Sequence, residues 1–327
     1  MTDLIELALR AGRAAAGTVT GTASSPDFVA RQWPQMADRL AHARDIRGLL
    51  AAAVELAAGA DRLATVFVAG YQGALRALLM RNDVTAGPAD DRIILCLAAT
   101  EAGGARPTAI ETALTPTDNG YKLQGAKQWI TGAGPGTAAH FLVVARLGDR
   151  QLAGGKLVPN LVVVRVAAQQ PGVSVTPMPP TPFIPEVPHG QPRFDGVAVG
   201  QSDILPGDGY ENYLKPFRTT EDIFVMAAVA AYLLVQAQRA HRLDIGQRCA
   251  HALQSLAGIA ERPWLDATVH LVLAGVVETM GLVAAAAGDL WPQGSPQAAR
   301  WQHDQALLMV AGKARAARAQ SAWERLR

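Results

Sequence analysis

The hydrophobic period changes twice along this chain, and those two changes restrict the fold more than any other feature. Up to about residue 88 apolar residues recur three and four apart, most clearly over residues 46–56 and 63–80, the spacing of one face of an α-helix. Residues 80–91 carry the Gly, Pro and Asp punctuation of a connector. From residue 93 short apolar or alternating runs take over, at 93–100, 121–131, 140–146, 161–167, 173–178 and 193–199. Runs of that length and spacing predict a small all-β domain. From about residue 219 the helical period returns over 221–241, 264–290 and 297 onward, punctuated by Pro263, Pro292 and Pro296. The expectation is an α+β chain with an N-terminal helical domain (1–90), a β-barrel middle domain (91–216) and a C-terminal helical bundle (217–327).

Two local signals sharpen the middle region. Asp118-Asn119-Gly120 precedes an alternating run, and Asn and Gly tolerate the positive φ of a tight hairpin. Residues 177–192 hold seven of the 20 prolines and predict an irregular loop.

Composition excludes several functions. The 30 basic and 28 acidic residues nearly balance, against a nucleic-acid binder, which concentrates cations on one face. The one basic cluster, Lys313, Arg315, Arg318, Arg325 and Arg327, reads as a solvated C-terminal helix face, with a nucleotide or partner-subunit contact as the alternative. The first residues lack the pattern of a secretory signal. The longest unbroken apolar stretch, 223–235, is too short to span a bilayer, and a second is broken by His270 and Glu278. Cys96 and Cys249 lie far apart in apolar segments and read as buried thiols of a reducing compartment. The seven histidines show no metal-ligand spacing. These signs together predict a cytoplasmic protein that binds neither nucleic acid nor membrane.

Three motifs carry a family resemblance. AATEAGGARPTAIETAL (residues 98–114) resembles the acyl-CoA dehydrogenase segment T-E-P-G-x-G-S-D. GYKLQGAKQWITGA (120–133) is similar to G-Y-x-L-N-G-x-K-x-W-I-T-N, and RFDGVAVGQSDILPGDG (193–209) to F-x-D-V-x-V-P-x-x-x-L-L-G. Order and spacing agree across residues 90–240, and the two ends match only loosely. Taken singly, Thr100, Trp129 and Thr131 read as a cap, a core aromatic and a strand-end residue. The resemblance implies instead that the β domain lays FAD on its surface, with Thr100 at the pyrimidine edge and Trp129 and Thr131 beside the isoalloxazine. It also implies an acyl-CoA substrate, an electron-transferring flavoprotein as acceptor, and a homo- or hetero-oligomer. A hydroxyl donor at the flavin edge stabilises charge developing there on reduction.

The departures matter as much. Arg106 and Pro107 stand at the Ser-Asp positions of the first motif, so Arg106 is a candidate phosphate contact, the bland alternative being a solvated loop arginine. The family's R-x-x-F-G and Q-x-x-G-G segments are missing. The family's late base would fall at Ala311-Gly312, after His303-Asp304, where there is no acid. A minority of relatives place the base at the start of the first C-terminal helix, where this chain has Glu221 and Asp222. An ungapped match puts Asp222 at the position and Glu221 one residue before. Acids that follow Thr219-Thr220 are also ordinary helix-start chemistry. The resemblance therefore implies an FAD-dependent α,β-dehydrogenation of an acyl-CoA thioester. The rival reading is a non-catalytic homologue acting as a structural or regulatory subunit.

Overall fold

The computed structural model describes residues 3–15, 28–84, 92–134 and 139–327. Among the described residues four helices come first: α1 (Leu4–Ala14), α2 (Phe28–Ala41), α3 (Ile46–Ala58) and α4 (Leu63–Arg81). Asp3 and Asp45 start α1 and α3 by accepting bonds from N–H groups that have no partner inside the helix. α3 and α4 occupy the two segments that periodicity picks out. Residues 85–91 of the expected connector lie outside the described residues.

Eight strands follow: β1 (Ile94–Ala98), β2 (Ala113–Thr117), β3 (Gly120–Ala126), β4 (Ile130–Thr131), β5 (Ala139–Gln151), β6 (Leu157–Ala167), β7 (Val173–Pro177) and β8 (His189–Val199). They form one sheet in the order β1-β5-β2-β3-β8-β4, with β6 on β5 and β7 on β8, a nearly closed barrel. Alternation sets its inner face: Pro192 and Phe194 of β8 are buried between exposed Gln191, Arg193 and Asp195. The β2–β3 hairpin pairs Thr117 with Gly120 around Asp118-Asn119. Gly120 has φ +133°, and a Cβ there would sit 2.7 Å from the Val199 carbonyl oxygen, so only glycine fits. Residues 178–188, the core of the Pro-rich segment, carry no regular structure.

The C-terminal part is helical: α5 (Lys215–Arg239), α6 (Leu243–Ile259), α7 (Ala267–Ala286), α8 (Pro296–Asp304) and α9 (Gly312–Arg325). Sequence periodicity finds three segments here and the structure has five helices. α6 buries Ile245, Cys249, Leu253 and Leu256 at helical spacing, and the last segment divides before α9, where Ala311 takes φ +63°. α5 also starts earlier than expected, after a wide π-type turn at Gly209–Leu214. α5 is the central element, buried without a break from Asp222 to Ala237. α4 lies directly against it: a Cβ on Gly70 would come within 2.7 Å of Val225 Cα.

By length and composition three helical stretches among the described residues, 63–81, 209–239 and 267–290, are apolar enough to cross a bilayer, although the sequence alone suggested none. In the first two, 94% of the apolar window is buried inside the protein. Their apolarity serves the core. The third, centred on α7, is only 33% buried, leaving Val272 and Leu282 exposed. Cys96 and Cys249 are free and buried, and burial raises both thiol pKa values.

Candidate active site

The site begins at the end of β1. Thr100 is followed by Glu101, whose backbone closes a tight loop with Gly104 through N–H to carbonyl bonds of 3.0 and 2.9 Å. The Glu101 carboxylate accepts from the N–H groups of Glu111 and Thr112 at 2.8 and 3.1 Å, and from Lys127 Nζ at 2.6 Å. Lys127 is fully buried and also donates to the Val144 carbonyl. Burial opposes both charges, and pushes Lys127 down to about 8. Lys127 and the two N–H groups outweigh that penalty on Glu101 and hold it below the usual carboxylate range. Gln128 N–H donates to the Thr100 carbonyl at 2.9 Å. The buried pair and this bond set Thr100 beside the loop that carries Trp129.

Trp129 takes φ +58°, and its N–H donates to Met178 Sδ at 3.2 Å. The indole is 46% exposed, which leaves a flat apolar face open. Thr131 in β4 pairs with His189 in β8, and its Oγ1 lies 3.2 Å from His189 Nε2. From α4, Tyr71 Oη accepts from Leu97 N–H at 3.3 Å, and its ring meets Phe217 edge-on.

Glu221 enters from α5. It lines one cavity of about 150 Å³ with Tyr71, Thr100, Trp129, Thr131 and Phe217. Burial first, and then the charge of Asp222, push its carboxyl up to about 7, against the opposing pull of Arg315, Arg218 and Arg318. Asp222 is not in this cavity. It faces α9 and accepts from Arg315 at 2.9 and 2.7 Å and from Arg318. Neighbouring residues on a helix differ by about 100° in direction, so only one of the two acids can face the cavity. The helix-start reading of these acids also lapses. α5 begins at Lys215, which leaves both acids more than a turn inside it, and Thr220 Oγ1 donates to the Pro216 carbonyl instead of capping.

A groove of about 1060 Å³ adjoins the cavity and shares Ala105, Leu214 and Arg218 with it. Arg106, Lys215, Arg218, Arg318 and Arg325 line it, and among the described residues no carboxylate does. Sequence reading placed Arg318 and Arg325 on a solvated face. They line this groove, which a linear pattern could not show because only the fold brings α9, α5 and the 103–107 loop around one space. An open indole face, two hydroxyls and a cation-lined groove are a donor set that fits a planar ring with a diphosphate arm.

The sequence profile of the acyl-CoA dehydrogenase middle domain matches residues 96–197, the segment that carries Thr100, Trp129 and Thr131. Residues 96–197 therefore form an acyl-CoA dehydrogenase-type middle domain. Three solved structures show how far its fold agrees. Butyryl-CoA dehydrogenase from Megasphaera elsdenii is 16% identical, with 100% of this chain and 99% of that one covered and a TM-score of 0.67. Glutaryl-CoA dehydrogenase from Mycobacterium smegmatis in complex with FADH2 is 14% identical over 95% and 90%, TM-score 0.66. A structure described as the electron transferring flavoprotein of Acidaminococcus fermentans is 12% identical over 99% and 98%, TM-score 0.69. At these identities the likeness is one of fold. No curated protein sequence matches the chain.

The acyl-CoA dehydrogenase fold makes the departures concrete. At the late position Ala311 precedes α9, and no acid stands there. Asp304 accepts from Ile184 N–H at 2.8 Å and ties down the Pro-rich loop. Arg106 is exposed at the groove. Tyr71 and His189 escaped sequence reading, because each reaches the site across a large separation in the chain.

Proposed function

We propose that this chain is an FAD-dependent oxidoreductase that dehydrogenates an acyl-CoA thioester, with Glu221 as the base. The observation that carries the reading is the placement of the Glu221 carboxyl in one cavity with Thr100, Trp129 and Thr131. A base for the α-proton of a thioester has to be partly desolvated and poised near the working pH, and a carboxyl at about 7 meets that demand. Trp129 offers the wall for the ring, Thr100 and Thr131 its edge contacts, and the groove cations, Arg106 among them, the phosphates of the dinucleotide or of the coenzyme A arm. Bound FAD would supply the two-electron acceptor for the hydride that leaves the β-carbon. Glu221 takes the α-proton, and the Cα–Cβ bond becomes double. Asp222 is a counter-ion for α9 in this reading and not the base.

The similar structures include an FAD-dependent dehydrogenase, a glutaryl-CoA dehydrogenase in complex with FADH2 and a butyryl-CoA dehydrogenase, which supports the cofactor and substrate class. The exposed apolar face of α7 supports assembly into an oligomer, and an electron-transferring flavoprotein is the proposed acceptor. One observation favours the rival non-catalytic subunit: the R-x-x-F-G and Q-x-x-G-G segments are missing from the sequence. The visible spectrum of the purified chain separates the two. Flavin bands that bleach on addition of an acyl-CoA support the enzyme, and a colourless chain that takes up no FAD supports the subunit.

A further inference from the structure

We infer that His189 is a positioning residue that turns the Thr131 hydroxyl away from the cavity, so that Thr131 offers the flavin edge a lone pair and not a proton. The inference rests on the flavin reading above. His189 Nδ1 lies 3.1 Å from the Val187 carbonyl oxygen. A carbonyl only accepts, so Nδ1 carries the hydrogen. Burial outweighs that bond and lowers the pKa of the ring, which keeps the imidazole neutral and Nε2 bare. The Thr131 hydroxyl, 3.2 Å from Nε2, is then the donor. It has one proton, and His189 takes it.

From the other side of the cavity, Tyr71 Oη accepts from Leu97 N–H at 3.3 Å. The geometry is held by backbone: Thr131 and His189 are register partners across β4 and β8, and the His189 ring packs edge-on against Trp129.

The consequence is a bias in redox equilibrium. Seated with its N5 edge toward Thr131, an oxidised flavin would present a bare nitrogen there and the reduced form an N–H, so an acceptor oxygen would favour the reduced form. His189 sets that preference without touching the ring.

Two measurements test this. The first needs no flavin. In the nitrogen-15 spectrum of histidine-labelled chain, the signal lost in His189→Gln should show the Nδ1–H tautomer. An Nε2–H tautomer or an imidazolium overturns the inference. The second reads the midpoint potential of the FAD-loaded protein. His189→Phe, which removes the acceptor, should shift the oxidised-to-reduced equilibrium about tenfold toward oxidised, roughly 30 mV more negative for a two-electron couple. His189→Gln, whose amide oxygen can accept, should stay near wild type, and His189→Phe should have no effect in a Thr131→Val background. Equal shifts in the Phe and Gln variants, or an undiminished shift in that background, count against it. A chain that takes up no FAD removes the proposed function, and the tautomer spectrum still decides which way the hydroxyl points.

Discussion

Arg315 reaches from α9 to Asp222 on α5 and donates to its Oδ1 through two nitrogens, at 2.9 and 2.7 Å. Arg318 holds the other carboxylate oxygen, and all three side chains are mostly buried. The pairing fixes α9 against α5, and with it one wall of the cation-lined groove. It also leaves Glu221, the preceding residue, turned about 100° away from Asp222 and into the cavity.

Asp222→Asn should therefore act on stability first. It leaves two largely buried guanidinium groups without a counter-charge, a class of change that costs about 3 kcal/mol. Urea unfolding should show a lower midpoint with the flavin spectrum retained. An unchanged midpoint would mean that α9 is held by other contacts.

Glu221 gives the opposite trade. The folded carboxyl keeps its proton up to about pH 7, against an ordinary value of 4.5. Between those values the folded state binds more protons than the unfolded one, so stability falls as pH rises. The ceiling is roughly 3 kcal/mol at about 1.4 per pKa unit, reduced to about 2 because the carboxyl is partly open to the cavity. Glu221→Gln should thus stabilise the protein at pH 8 and change little at pH 4. The rate of substrate-dependent flavin reduction should rise through pH 7 and level off above it. A rate flat across that range would remove Glu221 from the chemistry.

The Glu101–Lys127 pair fixes the Thr100 and Trp129 arms of the site. Lys127→Met strands a buried carboxylate, and Glu101→Gln a buried ammonium, so each should cost about 3–5 kcal/mol alone. The double variant should recover much of that loss, and a cycle of chemical-denaturation measurements reads the coupling. Additive losses would show that the two charges act separately.

The division into helices, barrel and helices was legible because apolar spacing reports which faces meet a core. The 178–188 loop and the β2–β3 turn were legible from proline and glycine chemistry, although Pro177 and residues 189–192 of the expected loop belong to β7 and β8. β2 was not, since Pro116 and its flanking threonines carry no apolar alternation, and α6 was not because glycine and charged residues dilute its apolar face. The motif residues Thr100, Trp129 and Thr131 do share one cavity. Spacing could not decide between Glu221 and Asp222, because that choice is a rotation about the helix axis set by Arg315 and Arg318, some ninety residues away.

Arg106, Arg218 and Arg325 face the groove. Charge reversal at Arg218 should weaken binding of coenzyme A or FAD about tenfold, and the loss should shrink as salt is raised, because exposed cations are screened. Titration calorimetry at two ionic strengths reads both effects. Salt-independent binding would place the phosphates elsewhere.

The most direct test is anaerobic mixing of the FAD-loaded chain with a panel of acyl-CoA thioesters while the visible flavin absorption is followed. Wild type should bleach with at least one of them. Asp222→Asn should still bleach, and Glu221→Gln should be slower by about 10²–10⁴, the usual contribution of a positioned base. Bleaching of Glu221→Gln at the wild-type rate would contradict the assignment of the base. A wild-type chain that holds FAD and bleaches with none of the thioesters would contradict the proposed activity.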